Sequence, residues 1–150
     1  MVLPMLEHES VAVEWVILAD AAQVVGNKLY LLGGGWDVLT VQGSLPVNQP
    51  VAIALSFRVP WNATNQRHHF EFEVVTEDGT EVLKGGGELE VGRPPGIPPG
   101  TVQRTQMALS GIAKIAQAGG YTIVCHIQGY EARTSFRVVQ SPGLSGQRAA

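Results

Sequence analysis

The chain has 150 residues, 13 acidic against 10 basic, for a net charge of −3. That is the length of one ordinary domain with a self-sufficient core. Only 15% of the residues are charged and 18 are glycine, which argues against long surface helices and for β-structure. The basic residues are scattered, with Arg133 and Arg137 the closest grouping, so neither nucleic acid nor an anionic membrane is an expected partner.

Residues 1–9 read as a flexible N-terminal segment, residues 10–140 as the folded domain and residues 141–150 as a flexible, small and polar tail. Val11–Leu18 forms the first strand, buried more completely towards its end. Lys28–Leu32 and Trp36–Val41 follow, with Gly26-Asn27 and Gly33–Gly35 at their joints. The clearest alternation is Val51–Val59, where Val51, Ile53, Leu55, Phe57 and Val59 face one way and Ala52, Ala54, Ser56 and Arg58 the other. In His69–Val75, Phe70, Phe72 and Val74 point inward. Asp78-Gly79 turns the chain into a return strand from Glu81 to about Leu83.

Gly92–Gly100 holds four prolines, so it is extended and reads as a stiff arm crossing from one sheet to the other. A strand around Gln103–Leu109 comes next. Ser110–Ala118 competes for helix but is too short to stand alone, and is better read as continuing a strand or making one turn before Gly119 and Gly120. Tyr121–Ile127, a turn at Gly129 and Ala132–Val138 make a hairpin with one wet face. Short alternating strands with Gly and Pro turns predict an all-β antiparallel β-sandwich of about eight strands, immunoglobulin-like or of related topology.

Ala19–Ala22, Lys28–Trp36, Val59–Asn65, Gly92–Gly100 and Gly119–Tyr121 together resemble an uncharacterised family of bacterial β-sandwich proteins, a domain of unknown function, over about residues 10–139. The resemblance implies the fold and no activity. Gly120-Tyr121 at the start of a late strand is also similar to the tyrosine corner of immunoglobulin-like domains, although Cys125 has no partner cysteine.

No Gly-x-Ser-x-Gly elbow occurs, His8-Glu9 lacks a second histidine four residues after the first, and neither glycine triplet precedes Lys-Ser or Lys-Thr. The triplets Gly33–Gly35 and Gly85–Gly87 read as bulges or close backbone approaches. His69, Glu71 and Glu73 share one strand face, with His126 a possible fourth ligand. A solvated face is the reading preferred, and no metal or cofactor is expected. The single cysteine, Cys125, points into the core and excludes an internal disulfide.

Trp61, Asn62 and Asn65 lie on a loop after Pro60. A flat aromatic face with flanking amides suits a glycan, and equally a protein interface or a cap on the core. Trp15 is assigned to the core, and Trp36 to core or rim. Arg93 begins the stiff arm, which with the termini is a candidate for contacts between subunits. The candidate binding residues are therefore Trp61, Asn62, Asn65, Arg93 and Trp36, and none is assigned to catalysis. A non-catalytic module for protein interaction or structural assembly is the first expectation, with self-association into a homo-oligomer one form of it. The alternative is a glycan or small-ligand module using the Trp61–Asn65 loop. An enzyme assembled from scattered residues such as Asp20, Asp37, Glu71 and His126 ranks third. The N-terminus shows no signal-peptide pattern and no long apolar run exists, so a cytoplasmic setting is expected.

Overall fold

Alternation of apolar and polar side chains builds nine strands in the computed structural model, which describes residues 10–141. They are β1 (Ala12–Val25), β2 (Lys28–Gly34), β3 (Val38–Gln42), β4 (Val47–Val59), β5 (Arg67–Thr76), β6 (Glu81–Glu90), β7 (Gln103–Ile115), β8 (Gly119–Ile127) and β9 (Tyr130–Ser141). A four-stranded sheet, β2-β1-β4-β7, packs on a five-stranded one, β3-β9-β8-β5-β6. Residues 1–9 and 142–150, which carry most of the two segments expected to be flexible, lie outside the described residues.

The expected sandwich is what forms, with all but one strand pair antiparallel. The exception is β3, which lies parallel to β9, Leu39 opposite Val138. With β4 to β9 standing for B, C, C′, E, F and G, the strand order is that of the immunoglobulin sandwich. Tyr121 is buried and its hydroxyl donates to the Gln117 carbonyl at 2.6 Å. That is the tyrosine corner, at the E–F connection where the fold uses it.

The core is the inner faces of both sheets. Phe57, Ile53 and Leu55 of β4 meet Phe70 of β5 and Ile123 and Cys125 of β8, and the Phe57 and Phe70 ring centroids are 5.1 Å apart. Glycine spaces the five-stranded edge. A Cβ on Gly85 would stand 2.7 Å from the Phe72 ring, and one on Gly87 3.3 Å from the Phe70 ring. The triplet is thus a close approach, with two aromatic rings lying over bare backbone.

Several strands outrun their sequence signals. The first strand, expected to end at Leu18, continues to Val25 and turns through Gly26-Asn27 (φ 57° and 62°) into β2, as a type I′ turn requires. β2 and β7 are opposite edges of their sheet, yet they touch. The Gln106 amide of β7 donates to the Asn27 carbonyl at 3.3 Å. The far half of the β1–β2 hairpin therefore folds as a flap across the outer face of its own sheet. Under that cover β4 is buried on both sides, Ala52, Ala54 and Ser56 included. Ser110–Ile115 does continue β7 as strand, and residues 91–102 do cross between the sheets.

Trp15 corrects one expectation. The register of β1 against β4 shifts between Val13 and Trp15, and this bulge leaves Val16 and Leu18 inward. Trp15 pairs with Ser56 on the outer face, half-buried, instead of entering the core. Glu14, at the same irregularity, accepts hydrogen bonds from Ser56 Oγ (2.6 Å) and from Arg104 Nε (2.6 Å) and Nη2 (3.1 Å). Arg58 stands 4.0 Å away. The Arg104 hydrogen bond is the main cause that holds the Glu14 carboxyl below the ordinary value of 4.5, against a partial burial that would raise it.

A lowered folded-state pKa means that this stabilisation is complete above the unfolded value and is lost as pH falls through the folded one. Glu14→Gln should therefore cost about 1 kcal/mol at neutral pH, and the gap to the parent should close as pH falls below 4.5. Urea unfolding from pH 7 to pH 3 measures it, and a gap constant with pH would contradict the assignment.

Candidate functional site

The β4–β5, β6–β7 and β8–β9 connections gather at one end of the sandwich. Pro60 ends β4, and Trp61–Ala63 makes one turn of 3-10 helix. Thr64 closes it, its hydroxyl donating to the Trp61 carbonyl at 2.7 Å. Asn65, at φ 60°, sends its backbone N–H to Val91 O at 2.7 Å, tying this loop to the start of the arm.

Arg93 completes the tie. Its Nε donates to Thr64 Oγ1 at 2.7 Å and Nη2 to Trp61 O at 2.8 Å, while the guanidinium carbon lies 4.0 Å from the Trp61 ring centroid. A planar cation with a forked set of donors can make all three contacts at once. Gln103 Nε2 donates to Gly92 O at 2.8 Å and fixes the arm from its far side.

Beneath this loop lies a hydrogen-bond relay around the buried His68 that sequence reasoning passed over. His68 has its Nε2 2.7 Å from Ala63 O, and its Nδ1 2.9 Å from Gln128 Nε2. Since a carbonyl only accepts, Nε2 carries the proton and Nδ1 accepts from the glutamine. Gln128 Oε1 in turn accepts from Val11 N at 3.2 Å. The first strand, the β8–β9 turn and the Trp61 loop are thus joined by one chain of hydrogen bonds. The signal for it was present: His68 has the same parity as Phe70 and Phe72 and so had to point inward.

Trp61, Asn62, Asn65 and Arg93 are brought together as a group. Trp36 is not part of it. It packs edge-on against Phe136, 5.5 Å between centroids, and Phe136 stacks on Tyr121 at 5.2 Å. Tyr121 begins β8 and Gln128 follows its end, which puts Trp36 roughly 20 Å away at the opposite end of the sandwich.

The outer face of the five-stranded sheet is a charged lattice. His126 lies 3.9 Å from Glu73 and 3.6 Å from Glu131, and His69 lies 3.3 Å from Glu71. These side chains share the face as their alternation requires. Among the described residues, no three His, Cys, Asp or Glu side chains stand close enough together to hold a metal. Asp20 lies in the flap against Gly33, and Asp37 lines a shallow open depression with Glu77 and Arg137, so neither joins Glu71 and His126. Cys125 is fully buried, and burial pushes its thiol up to about 12.

A third region mixes exposed apolar side chains with Gln23 and Lys28. Val25, Tyr30 and Leu32 are 52%, 55% and 72% exposed on the outward side of the flap. Ala21 stands across from Leu32 and Gln23 across from Tyr30. The facing positions Ala22, Val24, Leu29 and Leu31 are the half-buried side of the same hairpin. Among the described residues, no helix is long and apolar enough to cross a membrane.

Strand order, tyrosine corner and a loop end tied by an arginine define an immunoglobulin-like β-sandwich domain. The chain belongs to DUF6941, a family of unknown function, whose match covers residues 14–139. No curated protein matches it. Membership assigns no activity.

Arg93→Ala should lower the unfolding free energy by about 1–2 kcal/mol, and Arg93→Lys should recover less than half of that. A single ammonium cannot serve Thr64, the Trp61 carbonyl and the ring together. Denaturant unfolding followed by tryptophan emission reads both. An alanine variant as stable as the parent would show that the tie holds nothing.

Proposed function

We propose that this domain is a non-catalytic interaction module whose contact surface is the outward side of the β1–β2 flap. The observation that carries the reading is the apolar trio Val25, Tyr30 and Leu32, each more than half exposed on one hairpin face. Contiguous apolar surface costs solubility and marks contact sites. Tyrosine beside aliphatic side chains, with few charges, is the composition of an interface centre.

The partner is a protein. Four of the basic residues lie beside carboxylates, Arg58 and Arg104 at Glu14, Arg67 at Glu90 and Arg133 at Glu131. The others are scattered along the chain and make no cluster of the kind that nucleic acid or an anionic membrane needs. A glycan on Trp61 is the weaker reading, because the Arg93 guanidinium already covers one face of the ring. The single buried cysteine suits a reducing, cytoplasmic setting.

A photo-crosslinking residue at position 32 should form an adduct of discrete mass with a polypeptide in cells, and one at Ser135 on the charged face should not. Tyr30→Ser with Leu32→Lys should abolish the adduct formed from position 25 while changing stability by no more than about 0.5 kcal/mol. Equal labelling from positions 32 and 135 would contradict the reading.

A further inference from the structure

We infer that the free edge of β6 pairs with the same edge of a second copy of this chain, giving a two-fold dimer with one continuous ten-stranded sheet. The inference stands on β6 alone and is independent of the flap.

Among the described residues, β6 ends its sheet and has a hydrogen-bonded neighbour, β5, on one side only. A strand of ten residues, Glu81–Glu90, thus presents a row of backbone donors and acceptors sideways. Such edges recruit another strand unless something prevents it. The usual protections are incomplete here: β6 contains no proline, its register shift against β5 is confined to the Val82 end and leaves Leu83 to Glu90 uninterrupted, and its central charges are of opposite sign. The phenylalanine rings packed over Gly85 and Gly87 keep its inner side filled.

The side chains select the occupant. A two-fold antiparallel pair has each residue facing one whose number makes a constant sum, and a pair centred on Gly86 sets Lys84 opposite the partner's Glu88, and Glu88 opposite the partner's Lys84. Both are exposed, on the outer face. On the inner face the same register sets Leu83 opposite the partner's Leu89, again twice, and leaves glycine facing glycine between them. Opposite charges and apolar pairs at directly facing positions are what stabilises an antiparallel ladder. From Leu83 to Leu89 the sequence of β6 is complementary to itself read backwards, as an isologous interface demands. Lys84 faces Glu73 on the β5 side and Glu88 faces His69, so the partner's charges would take their other flanks.

The test uses the full chain and a charge swap. In sedimentation equilibrium the parent should show a mass twice that of the chain. Lys84→Glu and Glu88→Lys each turn both facing pairs into like-charge pairs, and each should weaken the dimer by roughly tenfold or more. Lys84→Glu combined with Glu88→Lys restores opposite charges and should return the dissociation constant to within about threefold of the parent. Circular dichroism should show all three variants folded. A parent that is monomeric at about 100 μM would overturn the inference, as would a double variant no tighter than the singles. A dimer indifferent to these changes but dissociated by Leu32→Lys would overturn it too, placing self-association on the flap instead.

Discussion

Two phenylalanine rings press their far edges against two glycines, and the rest of the sandwich is arranged around that contact. Phe70 and Phe72 of β5 face Gly87 and Gly85 of β6 across the ladder, and only a residue without Cβ lets the rings settle there. The rings then fill the space between the sheets. Phe70 reaches Phe57 of the opposite sheet, which fixes the β4–β5 crossing and places the Pro60–Gln66 loop at its end. β6 carries no side chain at Gly85 and Gly87 and, among the described residues, is an edge of its sheet.

The two ends of the sandwich are closed by different chemistry. At one, Trp36, Phe136 and Tyr121 form an aromatic stack next to the tyrosine corner. At the other, polar groups do the work: the Val11–Gln128–His68–Ala63 relay inside and Arg93 on Trp61 outside. His68 in this chain is satisfied on both ring nitrogens and so stiffens the loop. Of the candidate binding residues, Arg93 and Trp61 contact each other in the outer tie, and Trp36 belongs to the aromatic end. The exposed apolar trio of the flap, Val25, Tyr30 and Leu32, lies apart from both ends.

Most of the fold was legible because it rests on period-two alternation, which is strong in β4, β5, β8 and β9. The Asp78-Gly79 and Gly129 turns announced themselves for the same reason: few residues accept those backbone angles. Less legible was whatever depends on long-range geometry. Ala19–Val25 has no clean alternation, since a hairpin folded over its own sheet is half-buried on one side and apolar on the other. Trp15 was misplaced because a single bulge inverts every later parity and leaves no mark in composition. Trp61, Asn62, Asn65 and Arg93 could be grouped from loop chemistry, but the stacking of Arg93 on Trp61 joins residues 32 positions apart, which no local pattern encodes. The parallel placement of β3 was hidden for a similar reason, its partner being almost a hundred residues away.

The contact beneath the phenylalanine rings is tested most directly by adding one methyl group. Glycine within a strand ordinarily costs about 0.5–1 kcal/mol relative to alanine, so an unobstructed Gly85→Ala would raise stability by about that much. With the new Cβ placed 2.7 Å from the Phe72 ring, the account predicts a loss of about 1–3 kcal/mol in equilibrium unfolding, and a smaller loss for Gly87→Ala. A Gly85→Ala protein more stable than the parent would contradict it.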